Sequence, residues 1–181
     1  MKKGDAREKF GFTIIEVILV LAIAGLIFLM IFIAWPALSR TQRDSRRRDD
    51  ISIFLRKVKD YQTNNRGALP AISGDGKNIT FPESVSTSQN TWADFYHDYL
   101  GEDFIEPNGG YYVIDVEQCK SGGKMGETCT GAITGAAPYP SNLLVFVAAS
   151  CDGDQAVVSN NPRKIAVQYR LEGSGVYCAN T

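Results

Sequence analysis

Residues 11–35 read GFTIIEVILVLAIAGLIFLMIFIAW, an apolar run with two polar side chains, Thr13 and Glu16. From 12 to 34 the run holds 23 residues, about 34 Å as an α-helix, against roughly 30 Å of bilayer hydrocarbon. A membrane-crossing helix is therefore expected over residues 12–35. Glu16 is the anomaly. A charged side chain at the centre of a span costs about 2.5–3.5 kcal/mol on insertion scales and less near the ends. A carboxylate kept in such a place invites a search for its partner.

Two ordinary readings compete. Lys2, Lys3, Arg7 and Lys9 form a basic leader, and Ala22-Ile23-Ala24 imitates a signal-peptidase site. Cleavage there would leave the apolar residues 25–34 at the start of the mature chain, which argues against a secretory signal. A plain single-span anchor leaves Glu16 without a role. Cleavage between Gly11 and Phe12 gives it one, because it creates an α-ammonium at the head of the apolar helix. That amine can meet the carboxylate of its own chain or of a neighbouring copy. Such pairing matters in low dielectric, where an unpaired charge is far costlier than a paired one.

The string running from Lys9-Phe10-Gly11-Phe12-Thr13-Ile14-Ile15-Glu16 through Val17 to Ile23 resembles the type IV prepilin cleavage and methylation motif, shared by pilins and the pseudopilins of type II secretion. The resemblance is strong over about 30 residues and weak beyond. It implies a leader (residues 1–11) removed by a prepilin peptidase/methylase that cuts after Gly11 and methylates Phe12, with Glu16 guiding assembly. It also implies a homo-oligomeric filament, contact with membrane lipid, and service by a pilus assembly ATPase and a platform protein. The chain would start as a single-pass precursor in the cytoplasmic membrane and end in a surface filament supporting adhesion, motility or uptake. A pseudopilin or minor pilin of a secretion or competence machine is the alternative within the family, and a membrane-anchored receptor the alternative outside it.

Charge is segregated along the chain. Residues 1–66 carry 13 Lys/Arg and 7 Asp/Glu, net +6, and residues 67–181 carry 6 and 13, net −7. This division suggests two bodies in different surroundings. The positive-inside rule is ambiguous, since Arg40, Arg43, Arg46, Arg47 and Arg48 follow the span. The cysteines and the cleavage motif instead place the C-terminal body outside the cytoplasm. That arginine run raises a nucleic-acid reading, which the acidic body opposes. Lipid phosphates, intersubunit carboxylates and the i,i+4 pairs Asp44–Arg48 and Arg46–Asp50 offer the run other partners. No nucleic acid is expected on the head.

Beyond Trp35 and Pro36, the residues Ile51, Phe54, Leu55, Val58 and Tyr61 recur at helical spacing as one apolar stripe. Gly67 and Pro70 supply an ending. Residues 12–66 are expected to form one long kinked helix of about 80 Å, with 36–66 its amphipathic outer half. The rest, 67–181, reads as a globular head. After a polar loop over 71–90, which includes the weak sequon Asn78-Ile79-Thr80, Thr91 caps a helix burying Trp92, Phe95, Tyr96, Tyr99 and Leu100. His97 falls off that stripe and reads as a surface residue. Residues 111–116, 143–148, 164–171 and 175–178 are rich in strand formers. With no helix between them for a crossover, an antiparallel sheet packed on the helix's outer half is expected. The fold class is α+β, as the pilin resemblance also implies.

Cys119, Cys129, Cys151 and Cys178 all lie in the acidic head. Separations of 10, 22 and 27 residues suit disulfides in an oxidising space better than zinc. Three connectivities are open. Cys119–Cys129, closing a glycine-rich loop, and Cys151–Cys178, tying back the last strand, are favoured. Gly122-Gly123-Lys124 lacks the pattern of a phosphate loop, and Asp152-Gly153-Asp154 reads as a turn rather than a calcium loop. With one histidine and no nucleophile–base constellation, the head is expected to be neither an enzyme nor a binder of cofactor or metal.

Overall fold

A computed structural model of the chain describes residues 11–74, 76, 78–81, 90–120, 125–133, 142–173 and 175–181. The expected leader residues 1–10, the Gly122-Gly123-Lys124 segment and residues 82–89 of the 71–90 loop lie outside them. The chain divides into two units, one ending at Arg40 and the other running from Thr41 to Thr181.

Helix α1 runs from Ile14 to Asn64, with Pro36 inside it. Its first part is apolar enough and long enough to cross a membrane, with a mean hydropathy of 3.3 over its most apolar window and none of that window buried. Large apolar side chains over residues 12–33 range from 48% exposed at Val17 to 89% at Phe12. In water such a surface has no stable place, since each such side chain left exposed forgoes roughly 1.5–3 kcal/mol.

In the second unit, the later turns of α1 bury Ile51, Phe54, Val58 and Tyr61. These four residues belong to the expected stripe, and they enter the head's main core. Phe54 stacks on Trp92 with ring centroids 6.2 Å apart and meets Phe95 edge-on at 5.7 Å. The helix ends in a left-handed turn. Arg66 (φ 56°) and Gly67 (φ 81°) both take positive φ, and the Gly67 amide donates back to the Gln62 carbonyl at 2.6 Å. Helix α2 (Trp92–Phe95) starts at a capping box, Thr91 with Asp94, and continues into a π-turn over Tyr96–Leu100. His97 is exposed.

The main sheet has four strands, β1 (Val113–Gln118), β2 (Asn142–Val147), β5 (Ile165–Arg170) and β6 (Val176–Asn180), in the order β1-β2-β5-β6. Between them in sequence, β3 (Ala149–Asp152) and β4 (Gln155–Val158) form a separate hairpin. The expectation of a wholly antiparallel sheet fails at one place: β1 and β2 run parallel. Parallel neighbours need a dozen or more residues of connection, and 119–141 supplies that length without any helix among its described residues. The connection is held instead by main-chain bonds to β4, where the Gly126 and Cys129 amides donate to the Val158 and Ala156 carbonyls, and by the Cys119–Cys129 disulfide. Gln168, fully buried in β5, accepts a hydrogen bond from the Ile133 amide and donates one to the Asp154 carbonyl. The outer edge of β1 is covered by Ile79, bridged to Ile114, and by Gly76, whose carbonyl accepts from the Val116 amide. A Cβ at Gly76 would sit 2.2 Å from the Val116 oxygen, so only glycine fits there.

The second disulfide, Cys151–Cys178, joins β3 to β6, with Cα atoms 5.9 Å apart. Between β2 and β3, Ala148 takes a left-handed conformation (φ 60°), and the amides of Ala148 and Ala149 both donate to the Lys164 carbonyl. Two residues thus oppose one, a bulge that redirects the chain from the main sheet into the hairpin.

Candidate functional site

Helix α1 begins one residue after Thr13. The Thr13 backbone amide and hydroxyl both donate to Glu16 Oε2, at 2.8 and 2.7 Å, and the Glu16 amide lies 3.4 Å from Thr13 Oγ1. This is a reciprocal capping box: each side chain satisfies a backbone amide that the helix leaves without a partner. The signal for it is local in the sequence, the Thr-x-x-Glu spacing of Thr13 and Glu16. Glu16 therefore has a local partner, Thr13, whether or not the chain is cut. Gly11 and Phe12 precede the helix and are fully accessible, Phe12 at 89%. The Gly11–Phe12 peptide bond lies outside the Thr13–Glu16 box. Gly11, Phe12 and Glu16 lie together at the head of α1, whereas Cys119, Cys129, Cys151 and Cys178 lie in the second unit.

The arginines after the apolar run divide into two kinds. Arg43 makes a bidentate pair with Glu172, Nε to Oε1 at 2.8 Å and Nη2 to Oε2 at 2.6 Å. Arg47, only 2% exposed, donates to Asp44 (3.0 Å), Glu106 (3.1 Å) and Glu172 (2.7 Å). Glu106 also accepts from the Tyr169 hydroxyl at 2.7 Å, and Asp44 accepts from the Glu172 and Gly173 amides. Asp50 accepts from the Tyr112 hydroxyl at 2.8 Å. The expected i,i+4 pairs of Asp44 and Asp50 are thus replaced by contacts reaching into the head. The reason is energetic: a half-buried carboxylate is costly to leave unsatisfied, whereas an exposed i,i+4 pair contributes only tenths of a kcal/mol.

Electrostatics follow from these contacts. The hydrogen bond from Arg43, seconded by Arg47 and opposed by partial burial, lowers the Glu172 carboxyl to about 2. Burial works against the Arg47 charge, yet its hydrogen bond to Glu172 holds the guanidinium above its ordinary value. Burial raises Asp50 despite the Tyr112 hydrogen bond. Arg47 could have been found in the sequence, since it lies four residues before Ile51 on the buried stripe. Glu106 and Glu172 carry no local signal, because their role depends on tertiary contact with a helix 59 and 129 residues away.

Among the described residues there is no grouping of three or more His, Cys, Asp or Glu side chains able to hold a metal ion. No protein-family model, curated protein or solved structure matches this chain.

Proposed function

We propose that this chain is a type IV pilin-like structural subunit, made as a membrane-held precursor, cut between Gly11 and Phe12, methylated at Phe12, and polymerised through its apolar helix. One observation carries the reading: the segment Gly11-Phe12-Thr13-Ile14-Ile15-Glu16 opens a helix that is apolar and uncovered over residues 12–33, and the same helix later supplies the core of a disulfide-tied head. An uncovered apolar surface of this length needs lipid or other helices around it. A subunit that exchanges the one for the other needs no catalytic group. In this reading the Phe12 ammonium approaches the Glu16 carboxylate of an adjacent copy, while Thr13 holds that carboxylate at the helix start.

Mass spectrometry of the N-terminus in native material tests the reading. The expected product begins with N-methyl-phenylalanine at Phe12. Mature protein that retains residues 1–11 sinks the proposal and leaves a plain anchor. Abundance in sheared filaments then separates a major pilin, which should dominate the preparation, from a minor pilin or pseudopilin.

A further inference from the structure

Two surfaces of the second unit are oppositely charged, and among the described residues the one ion pair on either of them joins Asp98 Oδ1 to His97 Nδ1 at 3.1 Å, leaving Arg56, Lys59, Glu102 and Asp103 outside any ion pair. The first is the outward face of α1 over residues 46–59. Arg43 and Arg47 are turned into the head and consumed there, and the Arg48 guanidinium, though exposed, lies over the Tyr177 ring at 5.4 Å; Arg46, Arg56 and Lys59 stay exposed, against Asp49 and, one residue on, Asp60. Ile53, 37% exposed, sits within this basic face. The second surface is the segment after α2. From residue 78 to residue 119 the chain contains no Lys or Arg. Within that stretch Asp98, Glu102 and Asp103 are exposed on consecutive turns, and Ile105 beside them is 47% exposed.

We infer that the basic α1 face of one copy docks on the Asp98/Glu102/Asp103 segment of a second copy, with Arg56 and Lys59 meeting the carboxylates and Ile53 and Ile105 forming the apolar centre. Each patch alone is an ordinary solvated surface. Together they are complementary in charge, and each carries an exposed isoleucine of the kind that an interface centre buries. The two patches are different parts of one chain, so the contact is heterologous: every copy that offers its helix face still has its acidic segment free for the next. Repetition of such a contact gives a ring or an open filament rather than a closed dimer. The inference rests on the filament reading above and specifies the contact that sets the heads against one another.

The test is carbodiimide cross-linking of the full chain in native membranes and filaments, using equal mixtures of isotopically light and heavy copies. The expected result is an amide between Lys59 of one label and Glu102 or Asp103 of the other. Raising salt shortens the reach of such attraction, from about 8 Å at physiological strength to about 3 Å at 1 M, so the yield should fall with salt. Reversing one side, as R56E/K59E or as D98K/E102K/D103K, should cut assembled material at least tenfold, as sedimented filament. Combining both reversals in one chain should restore it, which also controls for folding. Absence of the mixed-label link, or failure of the combined variant to recover, overturns the contact. So does loss with the helix reversal alone, which instead indicates a polyanion such as nucleic acid on the basic face. Filaments carrying N-methyl-Phe12 without this link would sink the contact and leave the filament reading standing. An unprocessed N-terminus with the link present would do the reverse.

Discussion

Glu16 has two roles to separate, a helix cap and a charge, and its amide analogue separates them. Glu16→Gln keeps an acceptor for the Thr13 amide and hydroxyl while removing the anion. Its helix content in detergent should match wild type, whereas Thr13→Ala should lose a cap worth about 1 kcal/mol. If the charge guides assembly, Glu16→Gln should fail to form filaments despite normal membrane insertion; wild-type filament yield would refute the pairing. Glu172 carries a second residue-scale prediction. Its carboxyl titrates near 2 in the folded head against an ordinary 4.5, so the unfolded chain takes up the proton first as pH falls. The stability it contributes is complete above about 4.5 and lost on acidification towards about 2. Denaturant midpoints should therefore show Glu172→Gln below wild type at pH 7, with the gap closing as pH 2 is approached. A gap that stays constant with pH would show that the Arg43 pair contributes nothing through charge.

The elements differ in how openly the sequence announces them. The apolar run and the Ile51, Phe54, Val58, Tyr61 stripe made α1 legible, because helical periodicity is a local signal. The Thr91 cap and the four main strands were legible for the same reason, within two residues at most ends. The parallel pairing of β1 with β2 was not, since it goes with main-chain bonds between residues 126–129 of the connection and β4, a contact distant in sequence. The β3–β4 hairpin was not legible because its strands are only four residues long, and its turn at Asp152-Gly153 is a weak local mark. Ala148 is an element-scale test of that junction. A left-handed Ala costs roughly 1–2 kcal/mol, and glycine's greater freedom when unfolded offsets about half of that. Ala148→Gly should raise stability by about 0.5–1 kcal/mol in denaturant unfolding. Ala149→Gly, next door, buried and without positive φ, should lower it by about 1 kcal/mol. Equal losses at both positions would contradict the bulge.

Across the whole chain, the N-terminal candidate site was legible as residues but not as geometry: Gly11, Phe12 and Glu16 stood out, while the cap that holds Glu16 did not. The buried Arg47 network was not legible, because two of its three carboxylates, Glu106 and Glu172, come from distant parts of the sequence. The two disulfides belong to this scale, since each constrains the unfolded chain rather than one contact. In the chain-entropy model each is worth about 3 kcal/mol, the 27-residue link slightly more than the 10-residue one. Removing Cys151–Cys178 as a double serine variant should lower the unfolding free energy by about that amount. A loss well under 1 kcal/mol would show that the unfolded chain is already restrained there. The same crosslink has a mechanical consequence. Tension applied at Thr181 can peel only residues 179–181 from β5 before it meets Cys178, and from there the load passes through sulfur into β3. The last strand cannot unzip stepwise along its length, so tugging on that end must break covalent bonds or drag the hairpin out with it.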